Sequence, residues 1–131
     1  MSAQKLIMTV DVTLTGREIV PDGDYETWTL PFVAQAEGSG FKGATRPGFS
    51  DIQRRRGGEL LEACADYVLE GTDATGTACQ IHVINRYSDG VWRPKLSTDS
   101  EALAFLNGIE AWATLDMRPG IGPIVRMYAS I

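Results

Sequence analysis

The sequence predicts an all-β fold: a single antiparallel barrel, closed or nearly closed, of about eight strands. Three observations predict it. Apolar and polar residues alternate with a period of two over most of the chain, turn-forming residues recur roughly every ten positions, and the connections are short. Closure removes the exposed edges such strands would otherwise leave, and about eight strands enclose a core or one small ligand.

Residues 6–14 open the pattern, with Leu6, Met8, Val10, Val12 and Leu14 alternating with Ile7, Thr9, Asp11 and Thr13. That is a half-buried strand. Residues 27–36 are β-rich, but Pro31 cannot donate to a ladder, which predicts an edge or a bulge. Gly38, Gly40 and Gly43 then predict a tight hairpin with close backbone approach. Residues 45–53 read as a turn leading into a short irregular or helical segment near 49–55. Gly57-Gly58 opens the clearest pair, in which residues 60–72 and 77–87 flank the turn Asp73-Ala-Thr-Gly76. Asp89-Gly90 marks another turn, followed by a short strand at 91–96. Residues 97–101 can cap one or two helical turns near 100–106, which Asn107-Gly108 ends. Residues 109–117 and 124–131 form the last pair, across a connection with proline and glycine at both ends.

At 131 residues, the chain fits one domain spanning 1–131. Apolar residues at 44% and charged residues at 22% are ordinary globular values, which argues against disorder. Seventeen acids against twelve bases leave a net charge of −5, which disfavours nucleic acid and anionic membranes as partners. The only basic run, Arg54-Arg55-Arg56, reads as a solvated face sooner than an anion site. Cys64 and Cys79 form no Cys-x-x-Cys motif, and one histidine cannot complete a zinc site with them. Gly38-Ser-Gly-Phe-Lys-Gly43 lacks the ending of a phosphate loop, and no dinucleotide fingerprint appears, so neither metal nor cofactor is expected. The first ten residues hold no apolar run of signal-peptide or membrane-span length, so a cytoplasmic location with free thiols is expected.

Centring the 73–76 turn near Ala74 pairs residues of the central hairpin whose numbers sum to 148. Glu62 then faces Arg86, Asp66 faces His82 and Cys64 faces Ile84, with Cys64 pointing away from Cys79. Tyr67 and Asn85 share the other, apolar face. A buried amide there needs a partner, so both are candidate substrate-binding residues. Asp66 and His82 are a candidate acid–imidazole pair, with a solvent-facing ion pair as the alternative. Asp51 follows Gly48-Phe-Ser and either caps a helical turn or brings a carboxylate to the barrel mouth as a catalytic base. Trp112, among Glu110, Thr114 and Asp116, suggests an outer face, as a subunit contact or a ligand platform. No nucleophile elbow is present.

Several segments in order resemble the bacterial domain-of-unknown-function 3237 family. They are Leu30-Pro-Phe-Val33, then Glu37-Gly-Ser-Gly-Phe-Lys-Gly-Ala-Thr-Arg-Pro-Gly-Phe-Ser-Asp51, then Ala65-Asp-Tyr-Val-Leu-Glu-Gly-Thr-Asp73 with Gly76 and Ile81-His-Val-Ile-Asn85. Pro94-Lys-Leu-Ser-Thr98, Phe105-Leu-Asn107 and Val125-Arg-Met-Tyr128 continue the likeness, which spans roughly residues 5–130. The resemblance implies a calycin-like closed barrel with a central cavity, often paired as a homodimer, and no established common activity. Ala34-Gln35 stand where the family usually has a glycine pair, Asp66 where it has an arginine, and Phe105 where it has a tryptophan. These departures fit a member specialised for a different substrate.

Three functions compete. One is a cofactor-independent enzyme doing acid–base chemistry, of isomerase, cyclase or lyase type, on a small apolar or aromatic metabolite. The second is a carrier or sensor that only sequesters such a ligand. The third is a dimeric scaffold with a filled core. The small residues Ala63, Ala65, Ala111 and Ala113 favour an interior with room.

Overall fold

A computed structural model describes residues 4–130, as ten strands in antiparallel pairs and one 3-10 turn. The strands are β1 Gln4–Leu14, β2 Glu18–Asp22, β3 Tyr25–Gly38, β4 Phe41–Ala44 and β5 Phe49–Arg56. Then follow β6 Glu59–Thr72, β7 Ala78–Ser88, β8 Val91–Thr98, the 3-10 turn Ala104–Leu106, β9 Ala111–Arg118 and β10 Gly122–Ser130.

The ten segments make eight staves. β4 and β5 lie end to end, since both pair with β3 on one side and β6 on the other. β2 prolongs the line of β1 along β3, pairing with residues 25–29 while β1 pairs with 32–37. The circuit β1-β10-β9-β8-β7-β6-β5-β3 closes because β1 also pairs with β3. This is a closed eight-stranded antiparallel barrel. Its thinnest joint is β8 to β9, where Trp92 and Ala113 form the single paired position among the described residues.

One end of the barrel is filled. Ile7, Met8, Leu69, Ile81, Met127 and Leu106 are each no more than 1% exposed there, and burying such a side chain contributes about 1.5–3 kcal/mol. Close backbone contact at this end requires glycine: a Cβ on Gly43 would come within 2.5 Å of the Glu70 carbonyl oxygen, and Gly71 faces Gly43 directly.

Four details differ from the sequence reading. Residues 49–55 are strand, not helix, because β5 is hydrogen-bonded on both edges. Near 100–106 the helical expectation is met by the single 3-10 turn at 104–106. Pro31 lies not on an edge but where β3 passes from its partner β2 to its partner β1, so its missing N–H breaks no ladder there. Leu6 is turned outward, 52% exposed, because a bulge between Leu6 and Met8 buries Ile7 and Met8 together.

The central hairpin is displaced by two residues from the expected register. Cys64 faces Arg86, Asp66 faces Ile84, Tyr67 faces Val83 and Ala65 faces Asn85. The cause is Asp73: its carboxylate accepts the backbone N–H groups of Thr75 (2.9 Å) and Thr77 (3.3 Å), which centres the turn on Thr75. Gly76, at φ 80°, completes it in the left-handed region. An even displacement leaves every side chain on its expected face. Cys64 and Cys79 are therefore still on opposite faces, and both are free.

Candidate functional site

The end of the barrel opposite the filled one holds a chamber. One inward row crosses five strands as Leu30, Asp51, Ala65, Asn85 and Pro94. Two polar residues thus flank an alanine whose methyl leaves the space between them open. Around them stand Phe32, Tyr67, Trp92, Leu115 and Val125, with Met117 at the rim. The enclosed space is about 60 Å³, roughly two water molecules' worth, and it opens outward past the rim.

Asp51 is the centre of the chamber's polarity. Its Oδ2 accepts a hydrogen bond from Gln53 Nε2 at 2.7 Å, while Oδ1 is buried with no partner. Asn85 Oδ1 is likewise buried and unpartnered. They are the only two such side-chain atoms among the described residues. No backbone N–H among the described residues reaches the Asp51 carboxylate, so it is not a cap. Burial pushes its pKa above the ordinary carboxylate value, against the opposing pull of the Gln53 hydrogen bond and the Arg55 charge.

The polar line runs on to the mouth. Gln53 Oε1 accepts from Arg55 Nε at 2.9 Å, and Arg55 lies over the Trp28 ring, 4.3 Å from its centroid. Asp51, Gln53 and Arg55 alternate along β5, so one face of one strand carries a carboxylate, an amide and a guanidinium from depth to rim.

Tyr67 is 3% exposed, meets Phe32 edge-on at 5.3 Å and lines the chamber. Burial raises its pKa well above the usual phenol value, so it stays a neutral O–H at physiological pH. Trp92 lines the same space and packs at 5.2 Å against Tyr87.

Of the residues singled out in the sequence, Asp51, Tyr67 and Asn85 are brought together in one chamber. Asp66 and His82 are not part of it. They sit on the outer face, bonded diagonally at 2.6 Å, with side chains 59% and 43% exposed. Trp112 is also outside, stacked on Tyr128 at 4.7 Å and donating to Gln4 Oε1 at 2.7 Å. Sequence reasoning missed Gln53, Arg55, Trp28 and Trp92. Reading 49–56 as a strand would have exposed the first two, since alternation puts them on the face of Asp51.

The sequence matches no protein-family model and no curated protein. Solved structures share the fold along almost their full length. A protein of unknown function from Clostridium acetobutylicum superposes with a TM-score of 0.75 at 12% identity, covering 100% of this chain and 98% of that one. A conserved protein of unknown function from Rhodopseudomonas palustris gives 0.74 at 13%, covering 100% and 99%. An enzyme from Penicillium herquei gives 0.74 at 17%, covering 99% and 95%. At these identities the likeness establishes the barrel and nothing finer.

Proposed function

We propose that the barrel is a cofactor-independent enzyme that moves a proton on a small, largely apolar or aromatic metabolite, with Asp51 as the base. The observation that carries this reading is the pair of buried acceptors, Asp51 Oδ1 and Asn85 Oδ1, which no protein donor meets. Each unmet acceptor costs about 1–3 kcal/mol, and a ligand bearing O–H or N–H groups recovers that cost. The raised pKa of Asp51 brings its proton affinity closer to neutrality, where a base works best.

In the proposed step, Asp51 Oδ1 removes a proton from a carbon beside a carbonyl or aromatic ring, and the C–H electron pair enters the adjoining π system. Protonated Asp51 returns the proton at another carbon, giving an isomer with atoms and electrons conserved. No oxidant or cofactor enters that balance. Tyr67 supplies a neutral O–H and Asn85 an amide to orient the substrate. The small chamber admits the reacting end, with the remainder lying in the mouth near Met117. That the barrel of the Penicillium herquei enzyme has the same fold supports this architecture as a host for catalysis.

The same reading takes the chain as a cytoplasmic, homodimeric member of the domain-of-unknown-function 3237 family. The two free cysteines suit a reducing compartment. Exposed Leu6 and the Trp112–Tyr128 stack occupy one outer register row of the kind that copies bury.

The test is native mass spectrometry of freshly purified protein to find a bound small molecule, followed by incubation of that molecule with the protein in D2O. Deuterium should enter the molecule at one carbon, and Asp51→Asn should keep the bound adduct but lose the exchange. Exchange that survives Asp51→Asn overturns Asp51 as the base. Binding without any exchange in the native protein favours the carrier reading.

A further inference from the structure

We propose that the ligand of this chamber carries a carboxylate, held at the barrel mouth by Arg17 and Arg55 across the Trp28 ring. The inference rests on the chamber being a ligand site, and it adds the class of ligand.

The chain is acidic overall, yet Arg17 and Arg55 meet at Trp28 at this end, on the inward face of β5, while Arg54 and Arg56 lie on its outward face over Tyr25. All four lie over aromatic rings. Arg17 and Arg55 stand 5.3 and 4.3 Å from the Trp28 centroid, and Arg54 and Arg56 stand 4.3 and 5.8 Å from that of Tyr25. None of them forms an ion pair among the described residues. Acids are close in register, since Arg55 faces Glu26, Arg54 faces Glu62 and Arg56 faces Glu59. Glu26 instead accepts from Trp28 Nε1 at 3.3 Å.

A guanidinium over a ring keeps its remaining N–H groups available to a carboxylate. Arg55 uses Nε on Gln53 and Nη1 on the Gly58 carbonyl at 3.3 Å, while Nη2 has no partner among the described residues. Arg17 has none there either. Two cations beside one indole repel each other, and an anion bound at either of them lowers that cost.

The rim and the chamber are one structure. Gln53 gives its amide N–H to Asp51 and takes the Arg55 N–H on its oxygen, so its orientation is fixed from both sides. A ligand along this row has its carboxylate on Arg55 and its reacting carbon at Asp51. Asp51 and Arg55 are four residues apart on β5, but both meet the Gln53 amide, at 2.7 and 2.9 Å, so two hydrogen bonds and the width of one amide separate their polar atoms, a gap that a short aryl-alkyl body spans. A chamber with two unmet acceptors below an arginine-bearing rim therefore fits a small hydroxyaryl-alkyl carboxylic acid, its O–H meeting Asp51 or Asn85.

Three probes of one shape separate the outcomes: 3-(4-hydroxyphenyl)propanoate, 3-(4-hydroxyphenyl)propanamide and 3-(4-hydroxyphenyl)propylamine, titrated calorimetrically at low ionic strength. The carboxylate should bind at least about tenfold tighter than the amide, the equivalent of one charge-assisted hydrogen bond, and the amine weakest. Arg17→Ala should lower carboxylate affinity by about fivefold or more while leaving the amide unchanged, and Arg55→Ala should lower the carboxylate-to-amide affinity ratio by at least as much. Arg17 is exposed in the β1–β2 connection, so Arg17→Ala tests the rim even if Arg55→Ala misfolds. Equal binding of all three probes overturns the carboxylate class and leaves the chamber standing as a ligand site. A carboxylate preference that persists in both variants overturns the arginine clamp. Binding of none removes the chamber reading and this inference together.

Discussion

Asp51 and Asn85 stand in one register row on either side of Ala65, so two strand spacings and a single methyl separate the chamber's two buried acceptors. Whatever satisfies both must lie over that methyl. Ala65→Leu puts an isobutyl group there. In a filled core such a change costs about 1–3 kcal/mol, but here the space is open. The thermal midpoint should therefore fall by less than about 4 °C, while any co-purifying ligand is lost from the native mass spectrum. A much larger fall would mean that the space is already packed.

Asp51 also makes stability depend on pH. Its folded pKa is raised by burial, so the unfolded chain holds the charge more readily. The stability of the protonated form is fully present below the unfolded value of about 4 and is lost as pH rises through the higher folded value. Asp51→Asn, which keeps the acceptor for Gln53, should be more stable than the native chain at neutral pH. The two should converge below about pH 4. Urea denaturation at several pH values checks this, and a constant difference would mean that Asp51 is not desolvated.

Asp73 has the opposite sign. Hydrogen bonds from the Thr75 and Ser100 hydroxyls, and from the Thr75 and Thr77 backbone, hold its carboxyl below the usual range. Ser100 Oγ in turn accepts the Leu103 N–H and so fixes the approach to the 3-10 turn. Stability from Asp73 is present above the unfolded value of about 4 and is lost as pH falls through the depressed folded value. Asp73→Ala should be destabilised at pH 7, with the deficit shrinking in acid. Its 73–77 turn amides should exchange faster in hydrogen-exchange measurements.

The Asp66–His82 pair should matter little. Both side chains are largely in solvent, where an ion pair contributes about 0–1 kcal/mol. Asp66→Ala should fold with near-native stability and leave ligand binding and proton exchange unchanged. Loss of exchange in this variant would move the base to the outer face.

The thiols should separate by accessibility. Cys64 is half-buried on the outer face, whereas Cys79 is buried, and burial with the charges of Asp73 and Asp99 pushes its pKa up. A thiol reagent should label Cys64 quickly and Cys79 slowly in the native protein, and both at once in denaturant. Labelling of neither in denaturant would mean a disulfide and overturn the strand faces.

Along β5 the inward positions are Phe49, Asp51, Gln53 and Arg55, and the outward ones include Ile52, which is 47% exposed. Polar-in and apolar-out inverts the usual alternation, so the segment resembles a loop or a helical turn. The chamber needs those polar groups inside, and the neighbouring strands β3 and β6 hold β5 extended in spite of its pattern. The rule broke where the candidate site lies.

The sequence alone determined the barrel class, the turn positions after residue 56 and the inward faces of the central hairpin, including Tyr67 and Asn85. Those properties are local, because side-chain alternation and turn chemistry act over a few residues. An even register displacement could not disturb them. Tertiary structure decided everything that joins distant segments. It closed β1 on β3, set Asp51 and Asn85 across Ala65, and gathered Arg17 and Arg55 on Trp28. Which polar group meets which depends on strand order and register summed around the whole circuit, and no short window of sequence contains that sum.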